Sequence, residues 1–115
     1  MDAVLCVIRF IQAMGYQAFR EVPDAEPSEY CTVTLDGGGM LTERISTPML
    51  TIICHAQDMK RARVIAFDLA ANIQQSMTAD VREVFQADVN SVYPDPDLDT
   101  GAPAYSITLA LTITD

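Results

Sequence analysis

The apolar positions of this chain switch between a helical period of about 3.6 and a strand period of 2, and each switch marks an element. Val4, Val7, Ile8, Ile11 and Met14 recur at helical spacing, Asp2 stands where an N-cap belongs and Gly15 supplies a stop. A short one-sided helix therefore opens the chain. Residues 16–22 continue as a brief extended segment, and residues 23–29 (PDAEPSE) read as an exposed loop, because two prolines cannot donate to a ladder. From Tyr30 the period is two: Cys31, Val33 and Leu35 form an apolar face against Tyr30, Thr32 and Thr34. The run 36–39 (DGGG) predicts the chain reversal, since glycine reaches positive φ without steric cost. Residues 40–48 then connect to a second strand over 49–55, with Leu50, Ile52 and Cys54 on one face, and the two strands are expected as a long antiparallel hairpin.

Asp58 is placed to cap a second helix of about five turns, whose stripe is Ala62, Ile65, Ala66, Leu69, Ala70 and Ile73. Past Thr78 the period returns to two. A strand with one or two irregularities is expected over 84–93, an exposed loop over 94–103, and a final strand in which Tyr105, Ile107, Leu109, Leu111 and Ile113 alternate with Ser, Thr and Ala. The order helix, two strands, helix, two strands predicts an α+β fold: an antiparallel or mixed sheet of about four strands with two helices on one face. No repeat, linker or second domain is visible, so residues 1–115 read as one domain.

Composition and charge narrow the functional classes. A chain of 115 residues, half of them apolar, can bury about two-thirds of its unfolded surface, so a core without staples is expected. Sixteen acidic residues against seven Lys and Arg give a net charge of −9. That balance argues against direct nucleic-acid binding, which draws on Lys and Arg at phosphates, and against docking on an anionic membrane. The apolar start has no basic region before it and is interrupted by Arg9, so it reads as mature structure rather than a signal peptide. No stretch reaches the roughly 18 uncharged apolar residues of a spanning helix. Cys6, Cys31 and Cys54 lack metal-ligand or redox spacing and are expected as reduced, buried thiols in a cytosolic setting.

Candidate chemistry is sparse. Asp95, Asp97, Asp99 and Gly101 resemble a calcium loop in their alternation, but Thr100 and Ser106 stand where an EF-hand needs Gly and a bidentate Glu, which favours a solvated turn. His55 is the only histidine. Adjacent Cys54 must point to the opposite face, which leaves Cys31 on the neighbouring strand as the one thiol that could serve a hydrolase-like site with it. The glycine run lacks the Lys and Ser or Thr of a phosphate loop. No catalytic residue, metal or cofactor is therefore expected. Lys60, Arg61 and Arg63 form the basic start of the second helix, and Met40, Leu41 and Ile45 put apolar side chains into a polar connection, where they are either tucked back or kept for a partner.

These patterns carry a resemblance. The first helix ending in Met14-Gly15, the loop from Pro23, the strand closing on Leu35-Asp36-Gly37-Gly38, the strand 50–54 (LTIIC) with Ala56 after it, the helix through Ala62, Ala66 and Ala70, and the C-terminal 93–113 (YPDPDLDTGAPAYSITLALTI) together resemble the small tail terminator or tail completion proteins of long-tailed bacteriophages and prophages. The resemblance spans nearly the whole chain and rests on element order and a few dipeptides. It implies an α+β protomer of a ring, commonly hexameric, that stops tail-tube polymerisation and joins the tail to the head. The implied partners are other copies, the tail-tube protein and a head–tail connector, and the implied location is the virion. Many relatives carry an Arg near the position of Ala104, which this chain lacks.

A head-to-tail ring joins two different surfaces of one protomer. The expectation here is that the basic Lys60, Arg61 and Arg63 face the Asp95, Asp97 and Asp99 loop, or the 24–29 loop, of a neighbour, and that Met40, Leu41 and Ile45 meet the tail tube or a neighbour. The rival readings are a head-completion or neck protein of the same fold, and a small ligand-binding or thiol enzyme domain built on Cys31 and His55.

Overall fold

Asp2 caps the first helix: its Oδ1 accepts the Leu5 N–H at 3.0 Å, and the helix α1 (Ala3–Ala13) buries Val4, Val7, Ile8 and Ile11. The structure, a computed structural model, describes residues 2–114. Gly15 follows at φ +96°, with its N–H on the Gln12 carbonyl, and turns the chain out of the helix.

Five strands follow among the described residues, where about four were expected. β1 (Ala18–Phe19) pairs parallel with β2 (Tyr30–Met40), because residues 20–29 carry the chain back to the start of β2. β3 (Ile45–His55), β4 (Val84–Pro94) and β5 (Ala104–Thr114) are antiparallel to their neighbours, and the sheet order is β1-β2-β3-β5-β4. The fold is α+β with a mixed sheet. A two-residue strand has no period to read, which is why the fifth went uncounted.

The glycine run is not the reversal. β2 continues through Gly37, Gly38 and Gly39 to Met40 after an irregularity between Leu35 and Gly37, and β3 begins at Ile45. The turn lies at 41–44, where the Leu41 N–H donates to the Ile45 carbonyl and the Thr42 Oγ1 accepts from the Arg44 and Ile45 N–H groups. Gly38 answers a different need. A Cβ there would stand 2.3 Å from the Thr47 carbonyl oxygen, and its φ is +130°.

α2 (Met59–Asp80) is capped by Asp58, whose Oδ1 accepts the Arg61 N–H at 2.7 Å. It buries the whole expected stripe and adds Met77, running a little past the expected end at Thr78. Both helices share a core with Cys31 and Val33 of β2, Leu50, Ile52 and Cys54 of β3, and Ile107, Leu109, Leu111 and Ile113 of β5. They therefore cover one face of the sheet. Leu35 lies on that face by alternation yet is 57% exposed, because it stands across a groove from the first turn of α1, beyond the cover of the helices.

Candidate functional site

The elements divide the chemistry-bearing residues between two ends of the sheet. At one end, β2 begins, β3 ends in His55, α2 starts, and the loop 95–103 joins β4 to β5. At the other, the β2–β3 hairpin projects with its tip at 41–44.

His55 closes the first end. Its ring stacks on Tyr30, the residue directly opposite in register, with centroids 4.4 Å apart and planes at 12°, and Phe19 meets Tyr30 edge-on at 6.2 Å. The His55 Nε2 is buried with no hydrogen-bond partner among the described residues. Burial pushes the His55 pKa down, against the opposing pull of the Glu26 and Asp97 carboxylates. The Tyr30 hydroxyl donates to Glu26 at 2.9 Å, and burial together with that bond pushes the phenol up to about 12. A cavity of about 590 Å³ opens here between the loops, lined by Tyr30, His55, Glu26, Asp95, Asp97 and Leu98.

The three loop carboxylates do not converge. Asp95 accepts the Ser106 hydroxyl at 2.7 Å, Asp97 accepts the Asp99 and Thr100 N–H groups at 2.8 and 3.1 Å, and Asp99 is exposed. The two backbone donors hold the Asp97 carboxyl below the usual carboxylate range. This is the geometry of an Asx-braced turn. Among the described residues, no group of three or more His, Cys, Asp or Glu side chains is arranged to hold a metal ion.

The basic helix start and the acidic 24–29 loop meet inside the chain. Arg61 donates to both carboxylate oxygens of Glu29, at 2.5 and 3.1 Å, a bidentate bond that lowers the Glu29 pKa and raises that of Arg61. Arg63 lies over the Phe67 ring, 5.0 Å from its centroid. Lys60 is exposed and has no ion-pair partner among the described residues. Arg61 is thus engaged by a carboxylate of its own chain, while Lys60 and Arg63 are exposed and have no carboxylate partner among the described residues.

Cys31 and His55 lie on opposite faces of the sheet. Cys31 faces Cys54 on the helix side of the sheet, whereas His55 stacks on Tyr30 on the other side. The observed register does not bring together the pairing considered from the sequence.

At the opposite end, Met40 and Leu41 are 70% and 69% exposed at the hairpin tip, and Ile45 is half-buried beside Thr114, its partner on β5. β1 covers only Cys31 and Thr32 of β2, so the outer edge of β2 from Thr34 to Met40 has no neighbouring strand among the described residues, and every residue over that stretch is exposed. A groove of about 700 Å³ runs beside it, lined by Val4, Val33, Leu35, Ser46, Pro48 and Ile113. Reading the sequence missed this edge, because the glycines were assigned to a turn. Leu35, at the end of an alternating run and just before the glycines, was its one visible signal. The scan against protein-family models finds no match, and the search of curated proteins finds none either.

Proposed function

We propose that this chain is a structural virion protein, a tail terminator or completion protomer that assembles into a ring, commonly hexameric in that family, at the end of the tail tube. The reading starts from the resemblance in element order. The observation that carries it further is the hairpin: an arm whose tip exposes Met40 and Leu41 and whose edge leaves backbone donors and acceptors open over 34–40. A monomer gains nothing from such a surface, whereas a protomer uses it to meet a tube subunit or the next copy.

The charged end supplies the second contact. With Arg61 engaged by Glu29, the groups left to meet a neighbour's Asp95, Asp97 and Asp99 loop are Lys60 and Arg63. The net charge of −9 keeps free protomers apart at long range until a template raises the local concentration. On this reading the protein acts in the virion at the head–tail junction, touches the tail-tube and connector proteins, and performs no catalysis.

Native mass spectrometry tests the ring, with the wild type set beside a chain carrying Met40→Asp and Leu41→Asp. Both positions are exposed, so the variant is expected to fold and to lose assembly, while the wild type forms a closed oligomer alone or with tail-tube protein. A wild type that stays monomeric with the tube, or a variant that still caps tails at normal length, overturns the reading.

A further inference from the structure

Cys31 and Cys54 lie directly opposite each other in the β2–β3 ladder, 23 residues apart in sequence, with their sulfurs 3.8 Å apart and both side chains buried. The Cys31 N–H donates to the Gln17 carbonyl at 2.8 Å, away from β3, so the pair occupies a non-hydrogen-bonded site of the antiparallel ladder. At such sites the Cα atoms approach most closely, to about 4.5 Å. That falls within the roughly 4.4–6.8 Å that a disulfide spans, so the bond needs side-chain rotation and little backbone movement. Cys6, the third thiol, is held on α1.

We propose that Cys31 and Cys54 are an oxidisable dithiol, a modification site at the root of the hairpin that a small peroxide converts into a cross-strand disulfide. Cys31 is the attacking residue. Its strand is covered on the outer side by the two residues of β1 alone, and opening so short a pairing is the lowest-cost way to admit a small oxidant. Burial beside the Cys31 sulfur pushes the Cys54 thiol up.

The Cys31 thiolate attacks one oxygen of hydrogen peroxide and breaks the O–O bond. The departing hydroxide takes up the proton that Cys31 released and leaves as water, and Cys31 becomes a sulfenic acid. Cys54 then attacks the Cys31 sulfur, forming the S–S bond and breaking the S–O bond. Its proton goes to the departing hydroxide as a second water. Two thiols and one peroxide give one disulfide and two waters, and two electrons pass from the sulfurs to the peroxide. The cross-link fixes the register where β2 and β3 enter the core and leaves the tip at 41–44 free.

The test uses the full chain. Reduced protein is treated with hydrogen peroxide under native conditions, free thiols are alkylated in denaturant, and the peptides are read by mass spectrometry. The expected result is loss of two of the three thiols, with the Cys31 peptide joined to the Cys54 peptide, Cys6 alkylated, and all thiols restored by dithiothreitol. Three alkylated thiols after treatment, a cross-link containing Cys6, or sulfinic acid without a cross-link would each overturn it. A second measurement uses folded Cys54→Ser: dimedone is expected to label Cys31, now a sulfenic acid with no resolving thiol, and failure to label it overturns the proposed order of attack.

Discussion

The root and the arm of the β2–β3 hairpin share one antiparallel pairing and have opposite surroundings. At the root, Cys31 and Val33 face Cys54 and Ile52 under both helices, and Tyr30 stacks on His55 behind them. In the arm, Leu35, Gly37, Gly38, Gly39 and Met40 are all exposed, although their register with β3 continues to Ser46. The far edge of the sheet shows what an edge looks like when it is closed. β4 carries two irregularities and ends in Pro94, and the Gln74 Oε1 from α2 accepts its outward Val89 N–H at 2.9 Å. The β2 arm has one irregularity and no proline. The molecule protects one edge and leaves the other open, so stability should reside at the root and interaction in the arm.

The largest effect tests that division directly. Ile52 is wholly buried among the strands and helices, and Ile52→Ala should cost about 2–5 kcal/mol in urea unfolding, because methyl groups are lost and a cavity remains. Leu35, two residues along the neighbouring strand from Val33, should tolerate Leu35→Ser within about 0.5 kcal/mol. Equal losses at the two sites would mean that the arm is packed in solution and that root and arm are not distinct.

A smaller effect separates shape from packing inside the arm. Gly38→Ala would drive a Cβ against the Thr47 carbonyl at 2.3 Å and the Pro48 Cα at 2.7 Å, with φ at +130°, so a loss of about 1–3 kcal/mol is expected from backbone strain. Gly39→Ala meets only the Thr47 Oγ1 at 3.5 Å and should stay within about 0.5 kcal/mol of the parent. If the two glycines behave alike, the close crossing of the strands at Gly38 is not what holds the arm in shape.

Much of this was readable from the chain, and the parts that were not share a cause. The stripe Ala62, Ile65, Ala66, Leu69, Ala70 and Ile73 was legible because helical period and burial agree over about three turns. The alternation of β5 was legible for the same reason. Gly37 to Gly39 were misassigned because a glycine reports that the backbone needs room or positive φ, and a strand crossing close to its neighbour needs both as much as a turn does. Leu35 was placed on the correct face, but whether a helix covers that face depends on where α1 begins. At the candidate site, Arg61 was singled out as a partner for another chain, yet its carboxylate lies 32 residues away on its own loop, a separation that no local pattern reports. The open edge of β2 is likewise a property of where β1 stops, not of any residue in β2.

The smallest effect belongs to one proton at the root. Burial lowers the His55 pKa from its ordinary value of 6.5, so in the folded state the ring stays neutral where the unfolded chain already takes up a proton. Stability is then unaffected by this group well above pH 6.5, and it falls as the pH drops from that value toward the lower folded pKa. Glu29 and Asp97, whose carboxyls are lowered, add their own losses only in more acidic solution, as the pH falls through their folded values. The histidine therefore has a window of its own just below pH 6.5, separate from the carboxylates. His55→Phe keeps a ring to stack on Tyr30 and removes the titrating group, so urea midpoints measured through that window should slope for the parent and lie flat for the variant. Parallel slopes in the two proteins would show that the root's aromatic stack carries no protonation cost, and that the contrast between root and arm is one of packing alone.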